Sequence, residues 1–177
     1  MEEFQIHSAY DHHALKTMSR VLRKTVRRKW SVALRVFGWF AVSLIVLAQL
    51  ALAALDALPP FDFGEALTLL VVVVMVALLL FEDDFNGWIA SMNLLPGTRE
   101  ADTRFGAEEY VVTTQAAETH MHYENIRIVG ETKDSFVFII GKRHAQQFPK
   151  SGLAAGTPEQ FRDFIAEKTG LSVRYVK

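Results

Sequence analysis

The chain has 177 residues, a formal net charge of −1 and no cysteine. That length suits one membrane module and one small polar domain, and the balanced charge singles out no strongly charged partner. The missing thiols exclude disulfide frameworks, thiolate catalysis and cysteine-based zinc sites.

Residues 1–13 begin with a period of two, Phe4, Ile6 and Ser8 alternating with Gln5 and His7. This is the pattern of an extended strand with one buried face. If both ends of the chain share a compartment, the strand can join the sheet of the C-terminal domain.

Residues 14–35 are basic. Positions 1–35 hold eight Lys and Arg against three acids, Glu2, Glu3 and Asp11. Arg20, Arg23, Lys24, Arg27 and Arg28 recur at helical spacing, with Leu15, Met18, Val21, Leu22 and Val26 opposite. Lys29 interrupts the apolar face. The pattern predicts an amphipathic helix over 14–29 that feeds into the first apolar segment. Two roles compete for it. The basic face can contact anionic lipid, at about 1 kcal/mol per residue near the surface. Alternatively the charges only fix topology, and the apolar face packs on the protein's own polar domain. No nucleic-acid partner is expected, because the cluster adjoins a membrane segment.

Residues 36–55 contain no ionisable group, and only Ser43 and Gln49 are clearly polar. At about 1.5 Å per residue the segment spans roughly 30 Å, the thickness of a bilayer's hydrocarbon core. Such a stretch is too long, and its polar leader too extended, for a cleaved signal peptide. A second apolar run, Ala66 to Phe81, reaches only about 24 Å alone, and extending it to Phe85 gives a span over 66–85. Helices apolar all round belong in large cores or in membranes, and so short a chain has no core to hide two.

The connector, 56–65, carries no Lys or Arg. The positive-inside rule therefore places it outside the cell membrane, with the N- and C-termini both cytoplasmic. Trp30 and Trp88 then serve as anchors at the same inner interface. Gln49 can hydrogen-bond across helices, and Ala41, Ala48 and Ala51 are small enough for close packing. Self-association or a membrane-protein partner fits so small a pair of helices.

After a linker over 86–97, residues 98–177 read as a polar domain. Strands are predicted at Asp102–Phe105, Glu109–Thr114, Thr119–Tyr123, Ile126–Glu131 and Ser135–Gly141, with a further one at Ala145–Phe148. Thr157, Pro158 and Gln160 spell a capping box that starts a helix, and Gly170 ends it. Its stripe of Phe161, Phe164 and Ile165 should cover one face of the sheet. Residues 171–176 form a tail that can add a short strand. The fold class is thus a membrane α-helical hairpin plus a small α+β cytoplasmic domain, an antiparallel sheet with a C-terminal helix.

Several short motifs carry a resemblance: Tyr123-Glu124-Asn125-Ile126, then Glu131-Thr132-Lys133-Asp134 before Ser135-Phe136-Val137-Phe138, and Phe148-Pro149-Lys150 before the final helix. In this order, after two apolar segments, they resemble the YcxB-like proteins of bacteria, although that family suggests an aliphatic residue where Phe148 stands. The resemblance implies a membrane protein whose C-terminal domain is pleckstrin-homology-like, and it implies no established activity.

No catalytic constellation stands out. His120 and His122 share one face of a strand, but with His7, His12, His13 and His144 they form no recognised metal spacing, and an exposed strand face explains them more simply. Glu131, Lys133 and Asp134 sit at a turn, where charges are usually solvated, and Lys150 follows Pro149. A general acid–base role would need a pocket around them. Asp62-Phe63-Gly64 and Gly141-Lys142 lack the surroundings that would make them kinase or phosphate motifs. Neither apolar segment contains an ion pathway's charged groups. No catalytic residue, cofactor or metal is expected. The reading is a membrane-anchored interaction or regulatory module, with anionic-lipid sensing as the alternative and an inner-leaflet enzyme as the third.

Overall fold

The computed structural model describes residues 4–55, 61–141 and 144–176. Residues 56–60 of the expected connector, and Lys142 of the Gly141-Lys142 pair, lie outside the described residues. The chain divides into two units. One combines residues up to Val26 with those from Asn86 onward, and the other runs from Arg27 to Phe85. The polar unit therefore reaches beyond 98–177 to include the N-terminal segment.

In that unit the period-two segment is strand β1 (Phe4–Ala9), with Phe4, Ile6 and Ser8 buried and the intervening residues exposed. It is followed by α1 (His12–Thr25), which starts on Asp11, whose side chain accepts the Ala14 N–H at 2.7 Å. Further strands are β2 (Glu100–Phe105), β3 (Glu109–Thr114), β4 (Glu118–His122), β5 (Ile126–Glu131), β6 (Ser135–Ile140) and β7 (His144–Pro149). The helix α5 (Pro158–Thr169) has the expected capping box, and β8 (Arg174–Tyr175) follows it. Tyr123 is not part of β4. It opens a short 3-10 turn and donates its hydroxyl to the Gly106 carbonyl at 2.9 Å.

Among the described residues the strands form two four-stranded sheets, in the orders β1-β2-β3-β4 and β7-β6-β5-β8. Pairing is antiparallel except for β5 with β8. The two sheets and α5 enclose one aromatic core, in which Phe105 meets Phe148 and Phe161 edge to face. The α5 stripe supplies Phe161 and Ile165 to it, both fully buried, and Phe164 packs on its margin.

Strand β6 is buried on both faces. Phe136 and Phe138 enter the aromatic core, whereas Val137 and Ile139 point the other way, into a second cluster with Leu15, Met18 and Val21 of α1. Period-two alternation with both faces covered explains why this strand is an unbroken apolar run. The apolar face of α1 thus packs on the protein's own sheet. Gly130 makes the fit close, because a Cβ built there would lie 2.8 Å from Val21 Cγ1.

The second unit contains α2 (Arg28–Ala54) and α3 (Phe63–Leu80), and the unit boundary falls within α4 (Glu82–Met92). By length and composition, α2 and α3 are each long and apolar enough to cross a membrane. They run antiparallel. Near one end Gln49 Nε2 donates to Glu65 Oε2 at 3.1 Å, and near the other Arg35 Nε donates to Glu82 Oε2 at 3.2 Å. Between these latches Gly38 admits Leu79, whose Cδ2 would lie 2.8 Å from a built Cβ. Gly38 and Val42, with Gln49, line the contact, whereas Ala48 and Ala51 are exposed. Apart from this seam the apolar side chains face outward, and α3 buries none of its residues.

Three boundaries differ from the sequence expectation. The basic helix does not continue to residue 29, because the chain turns at Val26 and Arg27 before α2 begins at Arg28. The second span does not run unbroken to Phe85, since α3 ends at Leu80 and Glu82, Asp83 and Asp84 fill the first turn of α4. Carboxylates at that position complement the positive end of the new helix dipole. The stretch 86–97, expected as a linker, is helical as far as Met92.

Candidate functional site

The break after α1 divides the basic cluster. Arg20, Arg23 and Lys24 lie on α1, Arg27 occupies the turn and Arg28 opens α2, so the five do not share one helical face. Lys24, Arg27 and Arg28 are exposed, and Arg20 and Arg23 are half-buried. Trp30 and Trp88 are both exposed, on α2 and α4.

At the charged turn Lys133 and Asp134 are exposed, as expected, and Glu131 is not. Glu131 is buried, with 5% of its surface exposed. Arg162 of α5 holds its carboxylate at both oxygens, Nε to Oε2 and Nη2 to Oε1, each at 2.7 Å. Lys150 Nζ adds a third bond to Oε1 at 2.6 Å and stands 5.2 Å from the centre of the Phe136 ring. The Arg162 guanidinium, helped by Lys150, holds the Glu131 carboxyl below the usual carboxylate range against the opposing effect of burial. The turn beside it is closed by Thr132, whose N–H and hydroxyl both donate to the Ser135 carbonyl. The Asp134 carbonyl accepts the Lys150 N–H at 2.9 Å. Two motifs that stand apart in the sequence, Glu131 to Asp134 and Phe148 to Lys150, are therefore one connected structure. The Glu131 carboxylate is thus committed to Arg162 and Lys150, and the trio clamps β5 to α5 and to the turn that follows β7.

His120 and His122 lie on an exposed face of β4. Cross-strand pairing sets Glu109 opposite His122, and Glu109 Oε1 lies 2.8 Å from His120 Nδ1. Glu118 Oε1 is 3.4 Å from His120 Nε2. The hydrogen bond to Glu109, and then its charge, raise the His120 pKa above the ordinary value. No three His, Asp or Glu side chains among the described residues are placed to hold a metal ion. His7 pairs with Asp102 at 2.8 Å across β1 and β2, away from this pair.

A cleft of about 550 Å³ lies in the sheet unit, within the range of small-molecule sites. Helix α1 contributes Leu15, Met18 and Leu22, α4 contributes Ala90 and Leu94, and the sheets contribute residues that include Val112 and Ala145. Among the described residues no Asp, Glu, Lys or Arg lines it. Tyr10 is among its lining residues, and burial pushes its phenol pKa up to about 12. The Tyr10 hydroxyl has no hydrogen-bond partner among the described residues. Nearby, the Tyr110 hydroxyl donates to Gln146 Oε1 at 2.8 Å, which ties the two sheets together beside the cleft.

None of the residues singled out from the sequence for chemistry lines this cleft except His144, which is exposed. Tyr10 and Leu94 carry no motif. Leu15, Met18 and Leu22 do carry a signal, since they form the apolar face of a basic helix, and one face can both pack on a sheet and leave a gap.

Comparison with known families agrees with the sequence motifs: residues 105–165 match the family model described as YcxB-like protein. The matched stretch runs from Phe105 at the end of β2 to Ile165 in α5 and includes Glu131, Lys150 and Arg162. No curated protein and no solved structure matches the chain.

Proposed function

We propose that the chain is a membrane-anchored interaction module, in which α2 and α3 cross the cell membrane as a hairpin and the sheet unit faces the cytoplasm. The observation that carries this reading is the pairing of β1 with β2, from Phe4 opposite Phe105 to Ala9 opposite Glu100. Hydrogen-bonded strands lie on one side of a bilayer, so the chain between them crosses an even number of times. The outward-facing apolar side chains of α2 and α3 favour two crossings over none, because a soluble protein rarely exposes so much contiguous apolar surface. The contrast of eight Lys and Arg in residues 1–35 with none in 56–65 favours a cytoplasmic sheet unit. Trp30 and Trp88 fit the aromatic belt at that interface. The order of strands with a closing helix fits a pleckstrin-homology-like module, a plan that presents surfaces to partners. The residues of the ion-paired clamp are committed to one another, which fits binding better than catalysis.

Reporter fusions test the topology. An export-dependent phosphatase should be active when inserted in the connector and inactive when placed after Asp84 or at the C-terminus, and activity at the C-terminus would overturn the hairpin. Site-specific crosslinking in intact membranes tests the interaction. It should trap a stoichiometric protein partner on the sheet unit, and repeated recovery of the chain alone would count against the reading.

A second reading, contact with anionic lipid, is favoured by Arg27, Arg28 and Lys29, which are exposed where α2 begins. Native mass spectrometry of the full chain should then show retained phosphatidylglycerol that falls when Arg27 and Arg28 are changed to Gln. Unchanged retention would remove it.

A further inference from the structure

We infer that the cleft between α1, α4 and the two sheets binds a single aliphatic chain of a membrane amphiphile, with the Tyr10 hydroxyl available to its first polar group. The inference rests on the membrane-anchored reading, which supplies the source of the ligand.

The lining decides the chemistry. Leu15, Met18, Leu22, Leu94 and Val112 offer apolar surface, and among the described residues no Asp, Glu, Lys or Arg lines the space. A ligand charged along its buried length would find no Asp, Glu, Lys or Arg among the described lining residues. A peptide would bring its own backbone N–H and C=O groups, which need partners in a buried site. Besides Tyr10, the polar side chains of the cleft are the hydroxyls of Ser19, Thr98, Thr114 and Thr119, the Gln146 amide and the His144 imidazole. An aliphatic chain has no such demand and gains from each methylene removed from water. Met18 adapts to an irregular apolar partner better than a branched side chain would. Tyr10 joins an apolar ring to a hydroxyl that has no partner among the described residues, so it can take one hydrogen bond from or to the ligand.

The two helical walls of the cleft border the apolar hairpin in the chain. Helix α1 ends at Thr25, three residues before α2 begins, and α4 starts two residues after α3 ends. Both helical walls are thus the segments that lead into and out of the apolar hairpin.

The test uses the full chain in vesicles of phosphatidylethanolamine and phosphatidylglycerol doped with a diazirine-bearing palmitic acid. After photolysis, peptides are mapped by mass spectrometry. Labelling is expected on Leu15–Leu22 and on Ala90–Leu94, as well as on α2 and α3. In Ala145→Trp, whose new ring occupies the cleft from the β7 side, cleft labelling should fall about tenfold, the effect of displacing contact with roughly two methylenes. Labelling of α2 and α3 should stay unchanged. Helices that merely lay on the bilayer surface would keep their label in this variant, and that result would overturn the inference. So would cleft labelling no stronger than that of exposed β8. Loss of label from α2 and α3 in the wild type would instead overturn the membrane reading itself. Should Ala145→Trp misfold by circular dichroism, Ala117→Trp fills the same cleft from the turn after β3 and is read in the same way.

Discussion

Arg162 grips both carboxylate oxygens of Glu131, at 2.7 Å each, and so fastens the exposed side of α5 to the end of β5. Lys150 completes the set from the start of the 3-10 turn that follows β7. Burial of a carboxylate is costly unless its oxygens are occupied, and here three donors occupy them. Glu131→Gln removes the anion but leaves two cations converging on one place. We expect it to destabilise the sheet unit by about 2–3 kcal/mol, below the full cost of a broken buried pair because Lys150 and Arg162 retain some contact with solvent. Denaturant unfolding of the full chain in detergent, followed by near-ultraviolet circular dichroism, would measure it. A loss below half a kcal/mol would contradict a structural role for the clamp.

The same contact fixes a pH dependence. The Glu131 carboxyl is held below its ordinary value of 4.5 in the folded chain. A depressed carboxyl contributes stability that is complete above the unfolded-state value and is lost as pH falls through the folded one. Melting temperature should therefore drop on acidification below about pH 4.5, and Glu131→Gln should flatten that part of the curve. An identical acid limb in the variant would assign the effect to other carboxylates.

His120 gives a second, separable titration. Its bond to Glu109 favours the protonated ring and raises its pKa. Nuclear magnetic resonance titration of the His120 ring should show a midpoint above the ordinary histidine value, returning toward it in Glu109→Gln. A midpoint that does not respond would mean the ring is free of Glu109 in solution.

The fit of α1 against β5 depends on the missing side chain at Gly130. Adding a methyl group there places it 2.8 Å from Val21 Cγ1. Gly130→Ala should destabilise by about 1–3 kcal/mol, the usual cost of overpacking. Val21→Ala should recover part of that loss when combined with it, because the two sites touch and their effects do not add. Strict additivity in the double-mutant cycle would show that α1 can lift away without strain.

Inside the hairpin, the absence of native cysteine allows a clean crosslinking experiment. Gly38→Cys with Leu79→Cys should form a disulfide on mild oxidation, since a Cβ at position 38 meets the Leu79 side chain. Ala48→Cys with Leu79→Cys should not, because Ala48 is exposed and lies nearly three turns further along α2. Equal yields from the two pairs would argue against the antiparallel seam.

Much of the architecture was legible in local patterns. The limits of β3 and β5 follow from their β-branched and aromatic runs, and the capping box of Thr157 and Gln160 marks the start of α5 without any tertiary information. The features that escaped depend on distant partners. Glu131 looks like a solvated turn residue until Lys150 and Arg162, 19 and 31 positions away, are brought to it. The break at Val26 interrupts a basic pattern that is regular through Arg28, and it comes where α1 has packed on its own sheet and the chain has to enter α2. The extension of helix into 86–92 was hidden because Glu82, Asp83 and Asp84 resemble the end of an apolar span and serve equally well as the start of a new helix. The cleft was beyond sequence reading, since its walls come from separate elements and its polar group, Tyr10, belongs to no motif.

The pairing of β1 with β2 also sets an order of events during synthesis. His7 and Asp102 are 95 positions apart, and both apolar helices are made between them. The first strand and α1 leave the ribosome with no sheet to join, and they wait while both apolar helices are made. Throughout that interval the nascent chain carries an unsatisfied strand edge and a naked apolar helix face, the kind of surface that chaperones recognise and that aggregates when left alone. The same wiring means that residues 98–177, cut out as a contiguous block, would leave β2 without one neighbour and the α1 side of β6 open to water. A soluble version of this unit would have to carry its N-terminal twenty-six residues back to it through a short artificial linker in place of the hairpin.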